Sequence, residues 1–161
     1  MRSFWDKYCG RIENHSTVIK DNYVLQYYLD YPQYKSLQRE IINPFFSPCK
    51  IREWNDGFLI RVKKYEVIET LTGVDYHIDY ILSLCIYLYE NKYQLSQKEL
   101  KTRIDSILSQ VRSENLYNAL DVVFKMSETK NHLLDNYDFR IDNILWDRDK
   151  NQYILWDVVC T

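Results

Sequence analysis

The last quarter of the chain holds the pattern that most constrains the fold, a polar loop with fixed spacings that runs into short apolar stretches. Asp138 is followed two residues later by Arg140 and five residues later by Asn143, which leads directly into an Ile-Leu pair. A polar turn separates this run from a second apolar stretch that ends in Asp157. Apolar stretches on either side of a polar turn predict a β-hairpin. No other part of the sequence contains so clear a set of candidate functional side chains.

The part of the chain before this loop is predicted to begin with strands. Ser3–Cys9 alternates apolar and polar residues, and Ser16–Lys20 is rich in β-branched residues. Two interpretations of Tyr23–Leu29 stay open: its tyrosines have helical spacing, but it could also be a strand paired with Thr17–Lys20. The clearest hairpin is Lys50–Val62, because its Asn-Asp-Gly turn favours the positive φ values of tight turns.

Helical spacing dominates the middle of the chain. A short helix is predicted to begin at Pro32 and to run through Tyr34, Leu37 and Ile41. Three longer helices follow, with start signals at Asp75, Ser96 and Ser113, and the last ends near Lys130. Strands, several helices and a terminal hairpin together predict an α+β fold. The smaller, strand-rich part covers residues 1–62 and the larger, helical part covers residues 63–161.

Charge, hydropathy and cysteine spacing limit the classes of partner. A net charge of −2 predicts no nucleic-acid partner, because a chain that follows phosphates would carry a basic stripe. No apolar run approaches the roughly 18 residues that span a bilayer, so no membrane partner is expected. The four cysteines lie far apart and lack the spacing of a zinc site. We therefore expect a cytoplasmic protein with free thiols that binds small molecules or proteins.

The D-x-R-x-x-N-I-L spacing from Asp138, followed by a strand that ends in Asp157, resembles the catalytic loop and metal-binding strand of the protein kinase-like fold. The order of helix, catalytic loop, hairpin and terminal Asp also resembles that family. The resemblance implies a reduced fold of two lobes that meet near residue 62. The short, glycine-poor layout is most similar to the compact early protein kinases of T7-type bacteriophages. Those proteins shut off or modify host machinery, which implies a host protein as partner and the host cytoplasm as location.

The resemblance also implies a role for each residue of the loop. Phosphoryl transfer needs a carboxylate near the attacking hydroxyl, a cation near the phosphate and oxygen ligands for Mg²⁺. Asp138 would be the catalytic base and Arg140 would stabilise the charge on the transferred phosphate. Asn143 and Asp157 would be the Mg²⁺ ligands, since Mg²⁺ accepts a few protein oxygens besides waters and phosphates. The implied cofactors are therefore ATP and Mg²⁺.

Two residues outside the loop complete the implied nucleotide site. Lys20 follows Val18-Ile19 and resembles the strand Lys that grips the phosphates of ATP, and Glu40 stands about where the family has its ion-pair partner. From the residues alone, Lys20 also fits a solvated strand end and Glu40 a charge on an exposed helix face. Asp138 and Asn143 likewise fit ordinary turns, because Asp and Asn bond their own backbone.

Several departures from the family pattern leave more than one function open. Asn136 replaces the family's His, no glycine-rich loop precedes Lys20, and Asp157 is followed by Val-Val rather than Phe-Gly. Only four residues follow Asp157, so we expect no platform for choosing a protein substrate.

The intact loop favours an ATP- and Mg²⁺-dependent phosphotransferase that acts on a hydroxyl of a host protein. The departures favour a kinase-derived binding protein that inhibits a host transcription or defence enzyme by direct contact. A third interpretation, a helical adaptor without a nucleotide site, requires Asp138 and Asp157 to point apart.

Overall fold

The computed structural model describes residues 17–160 of the chain, and the strand predicted at Ser3–Cys9 lies outside the described residues. The described part is an α+β fold, as the sequence predicts. Its strands are β1 Thr17–Ile19, β2 Tyr23–Tyr28, β3 Cys49–Trp54, β4 Gly57–Lys63, β5 Glu66–Val67, β6 Leu145–Asp147 and β7 Gln152–Ile154. Its helices are α1 Gln33–Glu40, α2 Tyr76–Asn91, α3 Gln97–Gln110 and α4 Glu114–Ser127, with a 3-10 turn at Ile141–Asn143.

The strands form two antiparallel sheets, one with the order β1-β2-β4-β3 and one with the order β5-β6-β7. For the segment Tyr23–Leu29 the helical interpretation is wrong and the strand interpretation is right. The reason is that the backbone of β2 pairs with β1 on one side and with β4 on the other. The two-residue strand β5 was not predicted, because it is too short to show an alternating pattern.

The predicted hairpin at Lys50–Val62 is present as β3 and β4, joined by the two-residue turn Asn55-Asp56. Both turn residues have positive φ, 48° and 63°, as a type I′ turn requires. A Cβ added at Gly57 would lie 2.5 Å from the hydroxyl of Tyr27 and from the main-chain oxygen of Tyr28. Gly57 is therefore required by the close approach of β2, and not by the positive φ that the sequence suggested.

The starts of the helices agree with the sequence because capping is a local interaction. Asp75 caps α2, and Ser96 forms the predicted capping box with Glu99 at the start of α3. Ser113 caps α4, which ends at Ser127, a few residues earlier than predicted. Each cap satisfies backbone N–H groups that have no partner inside the helix.

Buried apolar side chains form two clusters that meet at the terminal hairpin. The larger cluster joins α2, α3 and α4 to the loop that precedes β6. The smaller cluster lies on the inner face of the four-stranded sheet and includes Leu145, Ile154 and Trp156 of the terminal hairpin. Because alternate hairpin residues enter different clusters, the hairpin connects the sheet to the helices and places Asp157 between them.

The predicted boundary after Val62 falls inside β4, which ends at Lys63. Tyr34, Phe45 and Phe46 precede that boundary, yet they belong to the larger cluster with the helices. Helix α1 and the loop after it therefore pack with the part of the chain beyond the boundary.

Among the helices of residues 17–160, none is long and apolar enough to cross a membrane.

Candidate active site

The loop that contains Asp138 is tied to the end of the terminal hairpin by backbone hydrogen bonds. The N–H of Asp138 donates to the main-chain oxygen of Val158 at 2.8 Å, and the N–H of Asp157 donates to that of Asn143 at 3.1 Å. The structure therefore brings Asp138, Asn143 and Asp157 together. The Asp138 carboxylate also contributes to the raised pKa of Asp157, so the two side chains lie near each other, whereas the adaptor interpretation requires them to point apart.

The carboxylate of Asp138 is held from several sides. Arg140 donates from Nε to Oδ1 at 2.9 Å and from Nη2 to Oδ2 at 3.3 Å. Asn143 Nδ2 lies 2.9 Å from Oδ2, and the Sγ of Cys160 lies 3.4 Å from the same oxygen. Burial lowers the pKa of the Arg140 guanidinium, but Asp138 and Asp142 outweigh burial and raise it. Arg140 is therefore a permanent cation that fixes the orientation of Asp138.

Asn143 is 1% exposed, and the two ends of its amide have different surroundings. Its Nδ2 donates to the main-chain oxygen and to Oδ2 of Asp138, both at 2.9 Å. Its Oδ1 is buried and has no hydrogen-bond partner within residues 17–160. A buried acceptor without a donor destabilises a fold unless a ligand satisfies it. Oδ1 of Asn143 is therefore a candidate ligand atom.

Asp157 shows the same division between its two oxygens. Oδ1 accepts from the Nζ of Lys35 at 2.5 Å, whereas Oδ2 is buried and without a hydrogen-bond partner in the described part of the chain. Lys35 also donates to the main-chain oxygen of Trp156, and its Nζ lies 3.6 Å from the centre of the Trp156 ring. Burial raises the pKa of Asp157, the Lys35 ammonium opposes that rise, and the Asp138 carboxylate adds to it.

Lys35 belongs to this cluster through its contact with Asp157, and the sequence did not reveal it. The apolar residues named for the predicted helix are Tyr34, Leu37 and Ile41. The helix does bury Tyr34, but its other buried residues are polar: Lys35, Ser36 and Gln38. Because the partner of Lys35 lies 122 positions further along the chain, no local signal separates this lysine from an exposed one.

Lys20 and Glu40 are not brought to this cluster. Lys20 is exposed in the turn between β1 and β2, and the side chain of Glu40 is 62% exposed, 4.0 Å from Arg39. Within residues 17–160 neither residue forms an ion pair with the other or with Asp157. The buried cation beside Asp157 comes from α1 instead. The nucleotide roles of Lys20 and Glu40 stay predictions.

A second buried lysine, Lys92, holds the loop just before Asp138. Lys92 is 6% exposed, and its Nζ donates to the main-chain oxygens of Leu134 at 3.1 Å and Tyr137 at 2.5 Å. An ammonium carries three donors and no acceptor, so a set of carbonyl oxygens suits it. Lys92 therefore fixes the backbone that leads into the loop, a role that no local sequence pattern indicated.

A cleft of about 450 Å³ opens beside Arg140. Its lining includes Arg140 and three acidic residues, Glu69, Glu90 and Asp142. The remainder is apolar or aromatic: Ile68, Ile86, Tyr89 and Ile141. Burial raises the pKa of the Tyr89 hydroxyl, and Asp138 adds to that rise, so the ring of Tyr89 lies near Asp138. The cleft is therefore lined by Arg140 and Tyr89, two side chains next to Asp138.

The unpartnered oxygens define what the cluster can bind. Asn143 Oδ1 and Asp157 Oδ2 are buried, and the third such atom in residues 17–160 is the donor Nε1 of Trp156. Mg²⁺ prefers one or two protein oxygens together with waters and phosphate oxygens. No group of three His, Cys, Asp or Glu suited to a metal occurs in the described residues. Asn143 Oδ1 and Asp157 Oδ2 are therefore the two candidate oxygens for a sparsely ligated Mg²⁺ ion.

Comparison of the chain with protein-family models, with curated proteins and with solved structures found no match.

Proposed function

We propose that the chain is a kinase-like phosphotransferase that moves the γ-phosphate of ATP to a hydroxyl group of a protein. One observation carries the proposal. Asn143 and Asp157 each have one side-chain atom anchored by a neighbour and one buried oxygen without a hydrogen bond in the described residues. This division is what a preformed metal site needs, because the anchored atoms fix the directions of the ligand oxygens.

The residues of the cluster divide the chemistry of phosphoryl transfer among them. Asn143 Oδ1 and Asp157 Oδ2 would hold Mg²⁺, which when bound neutralises charge on the phosphates. Asp138 would orient the acceptor hydroxyl and accept its proton. Arg140 holds Asp138 in place and lines the cleft, where an acceptor side chain could enter. Lys35 fixes Asp157 through its other oxygen.

The proposal includes the two-lobed arrangement implied by the sequence. The four-stranded sheet would be the small lobe, the helices would be the large lobe, and ATP would bind where they meet. Support comes from the position of Asp157 directly after Trp156, which packs in the cluster of the four-stranded sheet. A host protein as the acceptor, as in the phage kinases that the sequence resembles, is part of the proposal and rests on that resemblance.

A specific observation favours a second candidate, a kinase-derived binding protein that inhibits a host transcription or defence enzyme without turnover. Lys35 already pairs with Asp157 at 2.5 Å, so the carboxylate has a cation beside it without a metal. Asp138 is engaged by Arg140 and Asn143, which leaves its oxygens less available to a substrate proton. In this case the cluster would be a structural element of the fold.

Thermal unfolding with and without Mg²⁺ and ATP separates the two candidates at the binding step. A ligand that binds only the folded state raises stability by about 2.7 kcal/mol at a hundredfold excess over its Kd. We expect a rise that requires both Mg²⁺ and ATP, that disappears in Asp157→Asn, and that persists in the control Asp149→Asn. The control is matched because the Asp149 side chain is 82% exposed and pairs only with Lys63 in the described residues.

Transfer of labelled phosphate then tests the chemistry. Asp138→Asn should keep the rise in stability with Mg²⁺ and ATP but lose transfer to protein acceptors. No rise at millimolar nucleotide in the unmodified protein would reject the phosphotransferase and support the binding protein.

A further inference from the structure

The outer face of the four-stranded sheet is basic and aromatic. Residues of β2, β3 and β4 alternate between the buried cluster and this outer face. The outer positions are Tyr23, Leu25, Tyr27, Lys50, Arg52, Trp54, Leu59, Arg61 and Lys63. No acidic residue occupies an outer position of these three strands, although the chain as a whole has a net charge of −2.

Three cations of this face are open to solvent. Lys50, Arg52 and Arg61 are exposed, and none of them forms an ion pair within residues 17–160. Lys63 differs, because it bonds Asp147 and Asp149 at the end of β4. The three cations border a shallow depression of about 490 Å³ whose floor is apolar and aromatic. We name this depression, together with Trp54 and its neighbour Tyr27, the sheet face.

The aromatic rings of the sheet face are held by the fold. The Arg61 guanidinium lies 4.1 Å from the centre of the Tyr23 ring. Tyr27 and Trp54 meet edge to face with ring centres 5.7 Å apart, and the Tyr27 hydroxyl donates to the main-chain oxygen of Asn55 at 2.6 Å. Trp54 is nevertheless 47% exposed. Rings that are fixed and still accessible can stack against a planar ligand without a large loss of side-chain entropy.

We propose that the sheet face binds single-stranded nucleic acid. Such surfaces combine cations that contact the phosphates with aromatic rings on which unpaired bases stack, and the sheet face supplies both. Neighbouring strands lie about 4.8 Å apart. The rings on β2 and β3, Arg61 on β4 between them, and Lys50 and Arg52 on β3 therefore fall within the span of a few nucleotides. A duplex would hide the faces of its bases, and an acidic peptide would leave the rings without stacking partners.

The proposal is independent of phosphoryl transfer, because the sheet face contains none of the residues of the Asp138 cluster. It also changes the expectation, drawn from the net charge of −2, that the chain has no nucleic-acid partner. A chain that is acidic on average presents a local basic surface, because strand alternation places its cations on one side of the sheet.

The direct test is fluorescence anisotropy of a labelled oligothymidylate titrated with the full chain at several salt concentrations. Three phosphate contacts predict that log K falls with log salt with a slope of about −2 on single strands.

Trp54→Ala should weaken binding by roughly 5- to 150-fold, the range found when a stacked base loses its aromatic partner. A triple variant, Lys50→Gln, Arg52→Gln and Arg61→Gln, should bind weakly and lose the salt dependence.

Matched control variants remove the same number of charges from a different surface of the protein. Lys98→Gln, Lys101→Gln and Arg103→Gln on α3 remove the same three charges from exposed positions and should leave affinity unchanged. Tyr76→Ala is the control for Trp54→Ala, because it removes an aromatic ring that is 87% exposed on α2. Asp157→Asn should not alter oligothymidylate binding, which separates this site from the nucleotide site.

Three results would overturn the proposal. They are no binding at low salt, an equal loss of affinity in the α3 triple variant, and binding by a polyglutamate peptide but not by the oligonucleotide. The last result would assign the sheet face to an acidic protein segment instead.

Discussion

The ammonium of Lys35 lies 2.5 Å from Oδ1 of Asp157, although the two residues are 122 positions apart in the chain. Both side chains are largely buried, and the Trp156 ring covers the Lys35 Nζ at 3.6 Å. The pair ties α1 to the end of the terminal hairpin. It also leaves the second oxygen of Asp157 for a ligand, so one contact serves both the fold and the proposed site.

Replacing Lys35 tests the energetic importance of this pair. Lys35→Met leaves a buried carboxylate without its cation, and we expect a loss of about 3–5 kcal/mol in the free energy of unfolding. The exposed pair of Lys101 and Asp105 is the control, and Lys101→Met should change stability by less than about 1 kcal/mol. Urea denaturation measures both. Equal effects would show that Lys35 and Asp157 are not coupled in solution.

The raised pKa of Asp157 predicts a pH dependence of stability in the absence of metal. Its pKa in the folded state lies above the ordinary value of 3.8, mainly because the carboxyl group is buried. The folded state therefore binds the proton more tightly than the unfolded state does. The resulting stability is fully present below about pH 3.8 and is lost as the pH rises through the folded-state pKa.

Asp157→Asn isolates this effect because Asn does not titrate. The free energy of unfolding of the unmodified protein, minus that of Asp157→Asn, should fall as the pH rises from acid to neutral. Urea denaturation at a series of pH values gives the difference. A difference that grows with pH would mean that Lys35 lowers the pKa of Asp157 below its ordinary value.

Gly57 allows β2 and β4 to approach closely. In Gly57→Ala the new methyl group would meet the main-chain oxygen of Tyr28 at 2.5 Å, and we expect a loss of about 3 kcal/mol. Gly73 has a φ of 76° but no neighbour within 4 Å, so Gly73→Ala should lose only about 1 kcal/mol from backbone strain. Thermal midpoints of the two variants decide whether crowding exceeds strain.

The cysteines should differ in their reaction with iodoacetamide. Burial raises the pKa of the Cys85 thiol to about 12 and also raises that of Cys49. Only the thiolate reacts, so both should resist alkylation at mildly alkaline pH, whereas the partly exposed Cys160 should react. Mass spectrometry of peptides from native and urea-treated protein measures the order. Rapid native labelling of Cys85 would indicate local opening of α2.

Lys92 should control the order of the loop before Asp138. Lys92→Met keeps the aliphatic stem but removes the donors to Leu134 and Tyr137, and we expect a loss of about 3 kcal/mol. Amide exchange at Tyr137 and Asp138 should become faster as well. Lys98→Met, at an exposed position, is the control and should leave both quantities unchanged. Unchanged exchange in Lys92→Met would show that other contacts hold the loop.

Interactions between near neighbours made several elements predictable. The caps at Asp75, Ser96 and Ser113 and the Asn55-Asp56 turn depend on residues within a few positions of one another. The α+β class followed from these elements. The segment Tyr23–Leu29 was ambiguous, because tyrosines four positions apart fit a helix as well as an exposed strand face, and only pairing with β1 and β4 selects the strand.

The candidate site likewise has one part that depends on near neighbours in the sequence and one part that depends on tertiary packing. By itself the sequence determined that Asp138, Arg140 and Asn143 lie close together, because they share one short loop and its 3-10 turn. Only the tertiary structure decided which cation meets Asp157, and that cation is Lys35 of α1. The physical reason is that attraction between a buried ammonium and a buried carboxylate offsets the cost of desolvating them only where the two groups are well aligned and hydrogen-bonded. That condition arises from packing α1 against the terminal hairpin, and no spacing in the sequence encodes it.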